Sequence, residues 1–247
     1  MDRLIFTALS GMASSMMRER IIASNLANAQ TIGFRAETMD TTPVTLAGPS
    51  LEARAMSATQ VRGPDMKAGP LVQTGRDLDI ALEGDALLAV QADDGGEAYT
   101  RRGDLSVGPS GVLENGDGRP VLGDAGPVTV PPGVRVTISS DGAVLAADPA
   151  TPEAAPTRVA QLKLASWRGS RIEKDLSGLF RVPGDGALPT DANARVTPGA
   201  LEQSNVAPTQ ALVEMIAAQR LFEIRAKLVS TARDIDESGA SLMRLNS

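Results

Sequence analysis

The sequence contains neither cysteine nor histidine. Without these side chains the protein can form no disulfide bond, no thiolate nucleophile and no Cys/His zinc site. The commonest general base of enzymes is missing as well. An enzyme built on this sequence would therefore depend on Asp, Glu, Lys, Ser or Tyr alone.

Aromatic residues and long apolar runs are also scarce. Aromatics make up 2% of the sequence, with Trp167 and Tyr99 as the single members of their types, so stacking on bases or sugars has little support. The net charge of -6 argues against a nucleic-acid partner. Residues 4–17 carry no charge, but Thr7 and Ser10 make this run too polar and too short to cross a bilayer. We therefore expect no membrane insertion, and we interpret the run as part of an uncleaved amphipathic helix.

The N-terminal sequence predicts a helix over residues 2–28. Asn28 suits a helix end because Asn tolerates the left-handed backbone conformation. Gly33 then permits an unusual turn, and the neighbouring Phe34 is one of only four Phe residues, which is typical of an anchoring side chain. Apolar side chains recur at three-and-four spacing along one stripe of the helix, with Glu19 as the exception: Ile5, Leu9, Met12, Met16, Ala23 and Leu26.

The middle of the sequence has the pattern of short strands and turns. Turn-forming clusters such as residues 115–118 separate short apolar runs, which favours hairpins. The pattern predicts an all-β domain over residues 71–182, in which residues 159–167 form one long strand. Residues 36–70 and 183–204 are rich in Gly and Pro, and we expect extended connecting arms there.

The C-terminal sequence predicts a second long helix from Pro208, which suits a first-turn position, to about residue 245. Two apolar seams run along it, about 100° apart. One seam would suffice for a two-helix coil, so two seams favour a helix that contacts several neighbours. The first seam is Leu212, Met215, Gln219, Phe222, Ala226 and Val229, and the second is Leu221, Ile224, Leu228, Ile235 and Leu242.

These patterns predict an α+β fold. The long N- and C-terminal helices are expected to pair as a coiled-coil-like helical domain, with a central all-β domain between them in sequence. The expected boundaries are residues 1–35 and 205–247 for the helical domain, 36–70 and 183–204 for the arms, and 71–182 for the β-rich domain.

No motif with catalytic, cofactor-binding or metal-binding character stands out. The acidic stretches around Glu83, Asp93 and Asp117 lack the alternating oxygen ligands and closing acid of a calcium loop, and they are typical of hairpin turns. A phosphate-binding loop and a nucleophile elbow are also missing from the sequence. We therefore expect a non-enzymatic protein without cofactors or metals.

Four segments, taken in order, resemble the signatures of bacterial flagellar rod and hook proteins. They begin with Asn25-Leu26-Ala27-Asn28, followed by Thr31, Gly33, Phe34 and Arg35. The second contains Thr74-Gly75, Leu78-Asp79 and Glu83-Gly84-Asp85, and the third Tyr99-Thr100-Arg101 with Gly103. The fourth contains Leu201-Glu202, Ser204-Asn205-Val206, Met215-Ile216, Gln219-Arg220 and Phe222-Glu223. The chain departs from the family pattern at Ala86-Leu87-Leu88, where a Phe pair is common, and at Ile224-Arg225, where Ala-Asn is common.

The resemblance implies a structural component of the flagellar basal-body rod. Members of this family polymerise helically with other rod proteins and with copies of themselves into the drive shaft that crosses the periplasm. They leave the cell through the flagellar export apparatus without a cleaved signal peptide. Their terminal helices form an inner tube and their β-rich domain an outer layer. The opening residues 1–5 and the modest length are most similar to a proximal-rod member, with a distal rod or hook-type protein as the alternative.

The resemblance and the apolar stripes together give candidate subunit-interface residues. On the N-terminal side these are Ile5, Leu9, Met12, Met16, Asn25, Leu26, Asn28, Gly33 and Phe34. On the C-terminal side they are Leu212, Met215, Ile216, Gln219, Phe222, Leu228, Val229, Ile235 and Leu242.

Two functions of other classes remain as alternatives. A carbohydrate-active or peptidoglycan-cleaving enzyme would need a pair of carboxylates across a cleft, for which Glu83 and Asp85 are the candidates. A secreted adhesin-like binding module would have to act as an isolated monomer.

Overall fold

A computed structural model describes residues 2–45, 55–150, 154–175, 177–184 and 186–245. In this part of the chain, a helix stands at each end: α1 (Asp2–Ala27) and α2 (Pro208–Leu245). Neither helix, over the residues described, is long and apolar enough to cross a membrane.

Short strands occupy the sequence between the two helices. In chain order they are β1 (Glu37–Thr45), β2 (Ala55–Pro64), β3 (Leu71–Gln73), β4 (Ile80–Leu82), β5 (Ala86–Gln91), β6 (Glu97–Thr100), β7 (Leu105–Val107), β8 (Leu113–Asn115), β9 (Leu122–Gly123), β10 (Gly126–Pro127), β11 (Arg135–Ile138), β12 (Ala143–Ala147), β13 (Thr157–Gln161), β14 (Leu164–Ser166), β15 (Glu173–Lys174), β16 (Phe180–Arg181), β17 (Val196–Pro198) and β18 (Ala200–Glu202).

The chain divides into two compact units. Unit 1 comprises Met1–Ala27, Glu37–Gly63 and Ala207–Ser247, and unit 2 comprises Asn28–Ala36 and Pro64–Val206. Unit 1 therefore contains both helices together with the two-stranded sheet of β1 and β2.

The predicted fold class is wrong in its helical part. The helices do pack on each other within unit 1, but a β-sheet belongs to the same unit, so there is no separate helical domain. The expected seams do not account for the whole contact, because Met16 and Leu228 are 59% and 52% exposed. Small buried residues of α1 take part in it as well, through their hydrogen bonds with Arg225. The central β-rich region agrees with the expectation.

Unit 2 is organised around a five-stranded antiparallel sheet, with the order β14-β5-β6-β16-β15. Successive side chains of a strand point to opposite faces. Along β5, Leu88 and Val90 join the larger hydrophobic core, whereas Leu87 and Ala89 join a second cluster. The sheet is thus covered on both faces, which explains why β5 is a continuous apolar run.

The single tyrosine and the single tryptophan of the sequence both contribute to the second cluster, which contains Leu87 and Ala89. Tyr99 is fully buried there and Trp167 packs against it. The remaining strands of unit 2 form smaller antiparallel pairs and a three-stranded sheet, β11-β12-β13. Residues 159–167 are two strands rather than the expected one, since β13 and β14 join different sheets.

Candidate assembly surfaces and a buried charged cluster

One face of α2 consists of residues that recur every seven positions: Ala211, Ala218, Arg225 and Ala232. We call these four residues the inner face. Its three alanines are all buried. The guanidinium of Arg225 donates hydrogen bonds to the carbonyl of Gly11 and to Oγ of Ser15, so this face is turned towards α1.

The small residues of α1 make this close approach possible. Gly11 and Ser15 are both buried, and a Cβ at position 11 would lie 3.3 Å from Nε of Arg225. Such a contact is tighter than ordinary van der Waals packing. A side chain at position 11 would therefore press on Arg225, and the guanidinium would have to shift.

Large apolar side chains lie on the other side of α2, where they are exposed. They are Val213, Ile216, Ile224, Leu228 and Ile235, each more than half exposed within the chain. We call these five residues the outer stripe. Their positions follow helical periodicity over residues 213–235, a length of about 33 Å. Large apolar side chains exposed along one side of a helix make this side a candidate surface for contact with another protein.

The candidate interface residues of the two helices fall into three groups. Leu9, Met16, Leu212, Ile216, Gln219, Leu228 and Ile235 are exposed, and Met12, Asn25, Leu26, Met215, Phe222 and Val229 are partly buried. The side chains of Ile5 and Leu242 lie outside the described part of the structure.

Asn25 binds the backbone that follows α1 in unit 1. Its Oδ1 accepts a hydrogen bond of 2.8 Å from the amide of Glu37, and its Nδ2 donates one of 3.0 Å to the carbonyl of the same residue. An amide side chain that satisfies both backbone groups acts as a one-residue strand partner. It fixes where β1 begins relative to the end of α1.

The remaining three candidates belong to unit 2. Oδ1 of Asn28 accepts a hydrogen bond of 3.2 Å from Thr31 Oγ1. Gly33 is buried with a φ of 67°, and a Cβ there would collide with the backbone of Arg101. Phe34 is buried, with the ammonium of Lys174 3.5 Å from its ring centroid, a cation–π contact.

A charged cluster lies buried next to Gly33 in unit 2. Nη1 of Arg35 is 2.6 Å from Oε1 of Glu202, and Nη2 of Arg101 is 2.6 Å from Oε2 of the same carboxylate, while all three side chains are at most 2% exposed. Nε of Arg101 also donates to Oε2 at 2.7 Å. The Arg35 pair lacks a well-directed hydrogen bond at Nη1, so charge attraction holds it. Loss of the carboxylate charge would leave two buried cations without a counter-charge, at a cost of roughly 3–5 kcal/mol.

Arg101 also anchors the turn between β4 and β5. Its guanidinium donates to the carbonyls of Leu82, Gly84 and Ala86 at distances of 2.5, 2.8 and 2.8 Å. Burial lowers the pKa of Arg101, the charge of Glu202 opposes this effect, and the charge of Arg35 adds to it. The carbonyls and the carboxylate together replace the water that the guanidinium loses on burial.

Asn205 binds backbone groups of residues close in sequence to this cluster. Its Oδ1 accepts a hydrogen bond of 2.7 Å from the amide of Ala36, and its Nδ2 donates to the carbonyls of Asp65 and Lys67 at 2.9 and 3.0 Å. Arg35, Arg101, Glu202 and Asn205 will be called the hub. The hub brings together four stretches that lie far apart in the sequence.

The carboxylates that an enzyme would need are engaged in other contacts of unit 2. Oδ2 of Asp85 is 2.6 Å from Nη2 of Arg168, and Oε1 of Glu83 accepts a hydrogen bond of 2.8 Å from Thr197 Oγ1. Within the described residues, no group of three or more acidic side chains is arranged to hold a metal ion.

Sequence reasoning missed the inner face and the role of the hub. The seven-residue recurrence of alanine was visible along α2, but apolar periodicity emphasises large side chains and passes over small ones. Arg35, Arg101 and Glu202 all stand in the segments that carry the family resemblance. Charged residues are mostly exposed in proteins, so their burial had no signal in the pattern itself.

Comparison with known proteins is consistent with this geometry. The family model described as "Flagellar basal body rod FlgEFG protein C-terminal" matches residues 197–242, and that described as "Flagellar hook protein FlgE/F/G D1 domain" matches residues 81–146. The chain is 38% identical to the flagellar basal-body rod protein FlgF of Salmonella typhimurium, over all of both chains. It is 39% identical to FlgF of Escherichia coli over 95% of each chain, and 29% identical to the rod protein FlgG of Bacillus subtilis over 99% of this chain and 100% of the relative. The chain therefore belongs to the family of flagellar basal-body rod proteins, as a FlgF-like structural component of the rod.

Proposed function

We propose that the chain polymerises helically with copies of itself and with other rod proteins, and that the outer stripe is a principal contact between subunits. The single observation that carries this proposal is the separation of the two sides of α2. Its small residues face α1, and its large apolar residues are left exposed. Full burial of an Ile, Leu or Val side chain contributes about 1.5–3 kcal/mol. Five such side chains offer a substantial part of the free energy that association needs.

The polymer is proposed to be the torque-transmitting drive shaft that crosses the periplasm. Subunits joined head-to-tail by rotation and translation build a helix rather than a closed ring. In such a tube the terminal helices would form the inner layer and the β-rich region the outer one. FlgF is the proximal-rod member that the resemblance of the sequence implies, and the higher identity to FlgF than to the FlgG relative supports a position in the proximal part of the rod.

We also propose that the chain reaches the rod through the flagellar export apparatus with α1 retained. Support comes from unit 1, where Gly11 and Ser15 of α1 receive the hydrogen bonds of Arg225. A signal peptide removed on export would take these contacts with it. Mass spectrometry of the chain from isolated basal bodies should give a mass that includes α1, and a mass without it would contradict this route.

The proposed role needs no enzymatic step. The contacts of Asp85 with Arg168 and of Glu83 with Thr197 support a structural use of both carboxylates. Incubation of the purified chain with peptidoglycan should release no soluble fragments. Release that Glu83→Gln abolishes would contradict a purely structural role.

The test of the assembly surface is the substitution Ile224→Glu. Ile224 is 59% exposed, so the free protein should keep its stability, whereas a carboxylate buried between subunits is costly. Cells with this variant should export it but fail to incorporate it into basal bodies. Ser230→Glu is the matched control, because Ser230 is exposed on α2 outside the outer stripe. Normal incorporation and swimming with Ile224→Glu would show that the stripe is not an interface.

A further inference from the structure

The chain passes between unit 1 and unit 2 four times. The crossings follow residues 27, 36, 63 and 206, where the boundaries of the two units lie. Force that travels along the chain from one unit to the other must pass through these four covalent links. Three of them continue directly into segments that the hub binds within unit 2.

Glu202 binds several of these segments at once. Its backbone carbonyl accepts a hydrogen bond of 2.8 Å from the amide of Gly33. Its carboxylate accepts one of 2.8 Å from the amide of Gly69 and pairs with Arg35. A Cβ at position 69 would collide with the carbonyl of Gln203, so the two segments lie in direct backbone contact.

Asn205 binds the segments on either side of the β1–β2 excursion. Its amide side chain bonds to Ala36, the last residue before that excursion, and to Asp65 and Lys67 just after it. The amide of Asp65 also donates to the carbonyl of Ala36 at 2.7 Å. Asn205 itself lies just before the final crossing into α2. Three links are thus tied to one another by a single side chain.

Arg101 connects this cluster to the core of unit 2. It lies at the end of β6 and binds both the carboxylate of Glu202 and the carbonyls around the β4–β5 turn. The links are therefore attached to the central sheet and not only to each other.

From this convergence we propose that the hub is a mechanical joint, in which Asn205 and Glu202 are positioning residues that make the links share load. Without it, each link would extend separately when the rod turns, and the load would fall unevenly on the four links. This inference rests on the rod function proposed above and goes beyond it, because it assigns the coupling to named residues outside the subunit interface.

The test uses Asn205→Asp in the full chain. The carboxylate can still accept from the amide of Ala36 but cannot donate to Asp65 or Lys67. Asn205 is partly exposed, which makes it a milder target than Glu202, whose neutralisation would leave two buried arginines without a counter-charge. Asn193→Asp is the matched control, since Asn193 is an exposed turn residue of the same unit.

The first readout is hydrogen exchange of the purified variant. Loss of two hydrogen bonds should speed amide exchange around residues 33–37 and 64–69 by about tenfold, while residues 86–100 of the central sheet exchange as before. The Asn193→Asp protein should match the wild type throughout. Unchanged exchange at both segments would overturn the assignment of Asn205 as their brace.

The second readout is swimming of cells at low and high viscosity. Cells with Asn205→Asp should assemble basal bodies and swim normally in dilute medium, but lose speed more steeply than the wild type as viscosity rises. Equal loss of speed in both strains would overturn the load-sharing role. Absence of basal bodies would overturn it too, because Asn205 would then be needed for assembly. Absence of the wild-type chain from basal bodies would instead count against the proposed function.

Discussion

The substitution Ala218→Leu tests how the two helices of unit 1 pair. Ala218 is 3% exposed and lies in the middle of the inner face, one heptad from Arg225. A leucine adds three carbon atoms at a position that is buried within unit 1. The added atoms must displace α1, because Arg225 and its partners fix the spacing on one side.

The expected loss of stability follows from the tight packing around Ala218. Overpacking of a well-packed position costs about 1–3 kcal/mol, which corresponds to roughly five- to 150-fold in the equilibrium between paired and separated helices. The intrinsic helix propensities of Ala and Leu are close, so propensity contributes little. The neighbouring Ala217 is exposed and provides the control, since Ala217→Leu adds the same atoms where nothing within the chain opposes them.

Hydrogen exchange of α1 measures this equilibrium, because its amides exchange when the helix separates and frays. We expect Ala218→Leu to speed exchange along α1 by at least about fivefold and to leave unit 2 unchanged. Ala217→Leu should change exchange little. Equal rates in the two variants would refute pairing through the inner face.

Three further predictions concern other contacts of the two units. Arg225→Asn should destabilise the helix pair by about 1.5–3 kcal/mol, because it removes a charged donor of two hydrogen bonds. Arg220→Asn, at an exposed position of the same helix, should not. Equal melting of the two variants in circular dichroism would contradict this prediction. Burial, and then the hydrogen bond with Glu97, raise the pKa of Tyr99 well above its ordinary 10.0, so this contribution to stability is present below pH 10 and is lost as pH rises further. As the single tyrosine, Tyr99 should show no ionisation in its 295 nm absorbance at pH 10–11 until unit 2 unfolds, and a normal titration in the native protein would contradict its burial. Gly33→Ala should lower the free energy of unfolding of unit 2 by about 2 kcal/mol or more in denaturant titrations. Gly75→Ala should lower it less, since both glycines have positive φ but, of the two, only Gly33 faces a backbone collision. Equal losses of stability in the two variants would show that the collision is relieved.

The ends of both helices could be predicted because local chemistry sets them. Pro208 begins α2 as expected from its fixed φ and missing amide donor. The N-terminal helix ends at Ala27, one residue before the expected Asn28. Capping and breaking are decided by a few neighbouring residues, and a single sequence contains that information.

The way the helices pair could not be predicted from the large apolar residues. The expected seams assumed that the biggest side chains face the partner helix, and Leu212 and Ile235 are exposed instead. Arg225, which departs from the family pattern, supplies the polar contact with α1. Tertiary packing decides which side of α2 faces α1, and helix propensity does not indicate it.

The β-rich region was predictable in outline but not in pairing. Short apolar runs separated by turns indicated that this region consists of strands. The break between β13 and β14 could not be predicted, because the alternation of apolar and polar residues continues through Leu162 and Lys163 although the two strands join different sheets. The hub could not be predicted from the sequence, because Arg35 and Glu202 are separated by more than 160 residues in the chain.

The most direct measurement is an electron cryomicroscopy map of the basal body at side-chain resolution, with this chain in place. We expect Ile224 and Leu228 of the outer stripe to be buried against helices of neighbouring subunits, at the inner radius of the rod. A map in which this stripe faces solvent, or in which both helices lie at the outer surface, would contradict the proposed assembly.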